Sequence, residues 1–211
     1  MSDHDLDASP WAGVELLERA IGYTRGALAL VSADLMTAPT PCSEWDVRQL
    51  LLHMDDSLTL LLEAGATHRL QVHRPAAVAG SPAAGSLRTA SAEELVDRLR
   101  DRACRLLGQW TADWAAGPRS PQDVVVGDRP LTSAVLTSAG ALEIAVHGWD
   151  LATACAVRRP LPDDLATALL RIAPVLVGPT DRPGRFAEPL GNRPNAGPAD
   201  RLLAFLGRSV G

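Results

Sequence analysis

Four stretches of this chain repeat apolar side chains at steps of three and four residues, a period that suits helices packed on helices. The first runs from about Trp11 to Leu35, with Leu16, Leu17, Ala20, Ile21, Thr24, Leu28, Val31 and Leu35 in register. Pro39 and Pro41 end it and turn the chain. The second, "WDVRQLLLHMDDSLTLLLEAG", follows Ser43, which the spacing places as an N-cap with Asp46 adding negative charge near the helix start. The third, "SAEELVDRLRDRACRLLGQWTADWA", opens on a capping box from Ser91 to Glu94. The fourth spans about Thr132 to Val157. Beyond it, "PDDLATALLRIAPVLVG" predicts a fifth helix broken near Pro174, and "ADRLLAFLGR" a last one. Val124 to Val126 suit a short strand. Residues 66 to 90 form a long surface connection, able to cross a bundle, and residues 178 to 200 are rich in proline and glycine. The expectation is one all-α domain over residues 1–211: an antiparallel four-helix bundle at about 10–160, then a C-terminal extension at about 161–211 with additional helices and the Pro/Gly-rich segment.

Composition narrows the function classes. At 211 residues and 46% hydrophobic, the chain can bury a sizeable core. A net charge of −5 offers no basic field for nucleic acid. No apolar run approaches the ~18 residues that span a bilayer. The opening "MSDHDLDASPW" is acidic and polar, unlike a signal peptide. Cys42, Cys104 and Cys155 are odd in number and widely spaced, which suits a reducing cytoplasm better than a disulfide framework.

The fourth helix raises a chemical question. "ALEIAVHGWDLATACAV" is apolar except for Glu143, His147 and Asp150, which at i, i+4 and i+7 project from one face. A lone buried carboxylate costs several kcal/mol, so something must satisfy these groups. Mutual pairing, with His147 between Glu143 and Asp150, is one solution. A metal is another, because Glu and His one turn apart can bind a single ion. His53, on the flank of the second helix, would complete two histidines and a carboxylate, the ligand set of an open zinc site, if the two helices are neighbours.

"TPCSEWDVRQLLLHM" followed by "ALEIAVHGWDLATA" resembles the DinB-like metal-binding superfamily. More closely, the chain is similar to the N-terminal domain of mycothiol-dependent maleylpyruvate isomerase and its short actinobacterial relatives. The closing "RFAEPLGNRPNAGPADRLLAFLGR" is similar to the tail of those shorter members. A chain whose 20 basic residues are all arginine suits their GC-rich genomes. The resemblance implies a four-helix bundle, a divalent metal, usually zinc, on His53, Glu143 and His147, and mycothiol as thiol cosubstrate. A metal-held thiol is deprotonated and becomes the nucleophile. The isomerase itself carries a further C-terminal domain, whereas this chain ends at Gly211, so the expectation turns toward a cytoplasmic thiol transferase acting on a small electrophile. A maleylpyruvate-like isomerase, a metal-dependent hydrolase and a non-catalytic binding bundle are the alternatives, with the protein a monomer or homodimer.

Other residues carry paired readings. Asp150 either orients a metal-bound histidine or acts as a catalytic base, or else caps the helix or pairs with an arginine. Arg182, Arg185 and Arg193 either hold a carboxylated thiol or substrate, in a segment folded over the bundle mouth, or form a surface arm. Trp45, Trp149, Cys42 and Cys155 suit packing, Asp55 and Asp56 solvent, and His68 and His73 a solvated loop.

Overall fold

The structure, a computed structural model, describes residues 10–42, 45–70, 87–115, 123–126, 129–182, 186–191 and 194–210. Four long helices carry it: α1 (Pro10–Leu28), α2 (Val47–Thr67), α3 (Ala92–Ala115) and α4 (Ser133–Ala154). Their apolar stripes meet in one core, where Leu17, Leu50, Leu51, Leu95, Leu99, Leu106 and Leu151 are fully buried. Each such leucine contributes about 1.5–3 kcal/mol of transfer free energy. α1 packs against α4 and α3, and α2 against α3 and α4. The second and fourth helices are therefore neighbours, as a shared site requires. Two shorter helices, α5 (Asp163–Leu176) and α6 (Pro198–Phe205), pack on each other, and α5 also lies on α4.

The architecture is the expected all-α bundle, with local differences. α1 stops at Leu28 rather than Leu35: Leu30 and Val31 donate to the carbonyls of Ala27 and Leu28, tightening the chain into a turn before a 3-10 segment at Ala33–Leu35. α2 is capped by Asp46, not by Ser43, which lies outside the described residues. The Asp46 carboxylate accepts from Gln49 N at 2.8 Å, and Gln49 Oε1 accepts from Asp46 N at 2.9 Å. The box expected at α3 is present: Ser91 N donates to Glu94 at 2.7 Å and Glu94 N to Ser91 Oγ at 3.1 Å. α5 continues through Pro174 instead of breaking there.

A small sheet closes one end. β1 (Arg69–Leu70) runs parallel to β2 (Asp123–Val126), and β2 antiparallel to β3 (Arg129–Thr132), with Val124 opposite Leu131. Asp55, expected to face solvent, is 2% exposed because Arg98 and Arg102 of α3 reach its carboxylate at 3.1 and 3.0 Å. No described helix is long and apolar enough to cross a membrane.

Candidate metal centre

α4 is buried on almost every side from Gly140 to Ala152. Close approach to α1 makes this possible. A Cβ on Gly148 would lie 2.4 Å from Thr24 Oγ1, so only glycine fits, and that hydroxyl donates to Ile144 O at 2.8 Å. Glu143 and His147 lie one turn apart on this helix, facing His53 of α2.

The three side chains converge on one point. His53 Nε2 lies 2.6 Å from Glu143 Oε1, and His147 Nε2 lies 3.2 Å from the same oxygen. On its other side, His147 Nδ1 is 3.0 Å from Asp150 Oδ2. A proton on Nδ1 donated to Asp150 leaves the Nε2 lone pair facing Glu143 and His53. The imidazole edges meet at a centroid distance of 4.9 Å, and the Trp45 ring covers His53 at 4.4 Å. Side-chain exposure falls from 32% at His53 through 22% at Glu143 to 9% at His147, so the cluster opens to solvent on the His53 side.

Two binding triads are within reach here. The ligand atoms of His53, Glu143 and His147 lie within 4.8 Å of one another, and so do those of Cys42, His147 and Asp150. The first set fits a divalent ion better. A tetrahedral zinc site wants donors about 3.3 Å apart, so the observed spacings need only a small opening. Asp150 is fully buried and already engaged. Its Oδ2 accepts from His147, from Arg208 Nη2 at 3.0 Å and from the Cys42 thiol at 3.3 Å, and its Oδ1 accepts from Arg208 Nε at 3.3 Å.

Without an ion, the network is electrostatically self-consistent. Burial penalises the charge on Glu143, but the His147 charge and hydrogen bonds from both histidines outweigh it and hold the carboxyl well below its usual range. Burial also disfavours the His147 cation, yet Glu143, with bonds to Asp150 and Cys42, raises it well above the ordinary imidazole value. Asp150 is likewise kept ionised against its burial by the His147 bond and the Arg208 charge. A metal arriving here displaces protons.

Of the residues singled out in the sequence, the structure thus brings together His53, Glu143, His147 and Asp150. Arg182 is engaged elsewhere: its guanidinium donates to the carbonyls of Ala187 and Phe205 and lies 5.1 Å over the Phe205 ring. Arg185 and Arg193 lie outside the described residues, as does His73. His68 is exposed and terminates α2 with a left-handed φ of 52°.

Two residues of the site were missed. Trp45 is held over His53 by the loop before α2, where Thr40 Oγ1 donates to Trp45 O at 2.8 Å. Arg208, only 6% exposed, reaches Asp150 from beyond α6, and its Nη2 also donates to Cys42 Sγ at 3.4 Å. Gly207 delivers it, at φ +77° and so close to Ala187 that a Cβ would meet its backbone at 2.9 Å. The one available signal was Asp150 itself: a carboxylate on so apolar a helix demands a cation.

Comparison with known proteins agrees with this geometry. The family model for the mycothiol maleylpyruvate isomerase N-terminal domain matches residues 17–152, which contain α2, α3, His53, Glu143, His147 and Asp150. The chain belongs to that family. Two proteins of Mycobacterium tuberculosis, from the CDC 1551 / Oshkosh and the ATCC 25618 / H37Rv strains and each described as uncharacterized, are 33% identical over 198 residues. Each match covers 92% of this chain and 96% of the relative, so the likeness reaches beyond the residues that the family model matches. No solved structure gave a significant match. The family is a mycothiol-related, metal-binding branch of the DinB-like helical domains.

Proposed function

We propose that the protein is a divalent-metal-dependent transferase that joins mycothiol to a small electrophile, with zinc on His53, Glu143 and His147. The observation that carries the reading is the clamp on His147: Asp150 takes one ring nitrogen and leaves the other facing Glu143 and His53. Bound there, zinc would supply Lewis acidity that favours the thiolate form of a thiol at neutral pH. The chain's own groups do the rest. Glu143 offsets the ion's charge, Trp45 shields His53, and the exposed His53 side admits the thiol. In the overall reaction the S–H bond breaks and an S–C bond forms. The proton leaves to solvent, and the leaving group departs with the electron pair of its former bond to carbon.

A second reading has its own support. Every polar atom of His53, Glu143, His147, Asp150 and Arg208 that is buried has a partner, so the network is complete as an internal polar strut. Metal content separates the two. The proposal expects near-stoichiometric zinc in the purified protein, absent from His53→Ala and Glu143→Ala, and conjugate formation from mycothiol with an electrophile such as monochlorobimane. Protein that takes up no zinc at neutral pH would leave the strut as the role of these residues.

A further inference from the structure

Cys42, His147 and Asp150 form a second triad on the far side of the His147 ring, with Nδ1 in place of Nε2. Cys42 Sγ lies 3.3 Å from Asp150 Oδ2, and His147 Nδ1 lies 3.0 Å from the same oxygen. Around a tetrahedral zinc ion, sulfur and oxygen donors are about 3.5 Å apart and nitrogen and oxygen donors about 3.3 Å, so this triad also has a metal's spacing. Its chemistry differs from that of the outer set. A thiolate suits soft, thiophilic ions, whereas His53, Glu143 and His147 offer only nitrogen and oxygen.

A cation already stands there. Arg208 Nη2 donates to Asp150 Oδ2 at 3.0 Å and to Cys42 Sγ at 3.4 Å, while Nε donates to Asp150 Oδ1 at 3.3 Å. One guanidinium nitrogen thus occupies two of the three ligand atoms. Asp150 is fully buried and Arg208 almost so, which leaves no water to screen a metal ion placed beside the guanidinium. An ion has to replace it.

We propose that Arg208 sets the metal selectivity of this centre: its guanidinium fills the cation position of the inner triad and denies thiophilic ions the Cys42 sulfur. Entry of such an ion would break the Cys42 S–H and His147 Nδ1–H bonds, with both protons leaving to solvent. Bonds from the ion to sulfur, Nδ1 and Asp150 Oδ2 would form in their place. His147 would then lose the bond to Asp150 that sets its tautomer. Arg208 therefore keeps Nδ1 for a proton and Nε2 for the outer site. The inference goes beyond the transferase reading; it shares His147 with that reading but needs no outer ion.

Cadmium is the probe, because its thiolate bond gives an ultraviolet charge-transfer band that nitrogen and oxygen ligands do not. All proteins carry Cys104→Ser, which removes an exposed thiol. The otherwise wild-type protein should show no band. Arg208→Gln and Arg208→Ala should gain it stoichiometrically, and their preference for cadmium over zinc should rise on the order of tenfold or more. Arg208→Lys, which keeps the positive charge, should stay silent, and Cys42→Ser added to Arg208→Gln should abolish the band. Glutamine can still donate to Asp150, so it carries the test if the alanine variant does not fold. A band with Arg208 in place, its absence from folded Arg208→Gln, or an equal band in Arg208→Lys overturns the assignment. Neutral variants that gain the band, beside a protein that binds no zinc with Arg208 present, sink the zinc site and leave this inference standing. Zinc-dependent conjugation by a protein whose neutral variants stay silent does the reverse.

Discussion

Arg208→Met tests how much of this site is held by a residue outside its helices. Methionine keeps much of the side-chain volume but removes the guanidinium, and with it bonds to Asp150 at 3.0 and 3.3 Å and to Leu206 O at 2.9 Å. Asp150 is fully buried and cannot turn to water. Breaking a buried pair from one side costs about 3–5 kcal/mol, because the surviving charge is left without compensation. His147 and Cys42 still donate to Asp150, which places the expected loss near the lower bound, about 3 kcal/mol. For a chain of this size that is a fall of about 6 to 12 °C in Tm. Asp150→Asn in the same background should return part of it, since no buried anion then lacks its partner. The coupling between the two substitutions should be about 2 kcal/mol or more. Urea denaturation followed by helical circular dichroism measures all four proteins of the cycle, the parent, each single variant and the double variant, provided the denaturant slope stays constant. A single-variant loss under about 0.5 kcal/mol, or strict additivity in the double variant, would refute the argument.

Asp150→Asn should leave the proposed zinc bound but weaken it about 10- to 100-fold, as a chelator competition would show, because His147 loses the carboxylate that orients it. Tyr23, the one tyrosine of the chain, should titrate at about 12 by tyrosinate absorbance, chiefly because it is buried, with Arg159 opposing and Asp150 assisting. Its folded value is raised, so its contribution is complete below the unfolded value of about 10 and is lost as pH rises through the folded one; a midpoint near 10 in native protein contradicts the burial. Gly148→Ala should cost about 1–3 kcal/mol in the same urea assay, through overpacking against Thr24. Thr24→Ala should relieve only part of this, since the Cα of Thr24 also lies 3.2 Å from the new Cβ.

The sequence exposes most of this fold because its information is periodic. Apolar steps of three and four locate all four bundle helices, and Ser91 with Glu94 locates the start of α3. The end of α1 is hidden by the same signal. Leu30 and Val31 continue the apolar pattern because the turn they occupy also packs on the core. Asp46 and Ser43 are both good caps, and three-dimensional pairing decides between them: Asp46 bridges back to Pro39. Within the site, Glu143 and His147 are legible from helical spacing alone, but the partnership with His53 depends on α2 lying beside α4, 90 residues away in sequence. Arg208 is further still. The apolar surroundings of Asp150 demanded a cation, but nothing local distinguishes Arg208 from the chain's other arginines until Gly207 turns it inward.

The most extensive helix contact joins α1 to α4, about a hundred residues later in the chain. On a ribosome adding about 5 to 20 residues per second, the apolar stripe of α1 waits on the order of 5 to 20 s for its main partner. Through that interval Leu17, Ala20 and Ile21, buried in the finished bundle, lack the helix that contributes most to covering them. Folding is therefore governed by closing a long loop rather than by local hairpin formation, which makes this bundle slower than an up-and-down arrangement of equal size. Nascent chains halted before α4 should be bound by chaperones that recognise exposed apolar helix, and chains halted after it should be released.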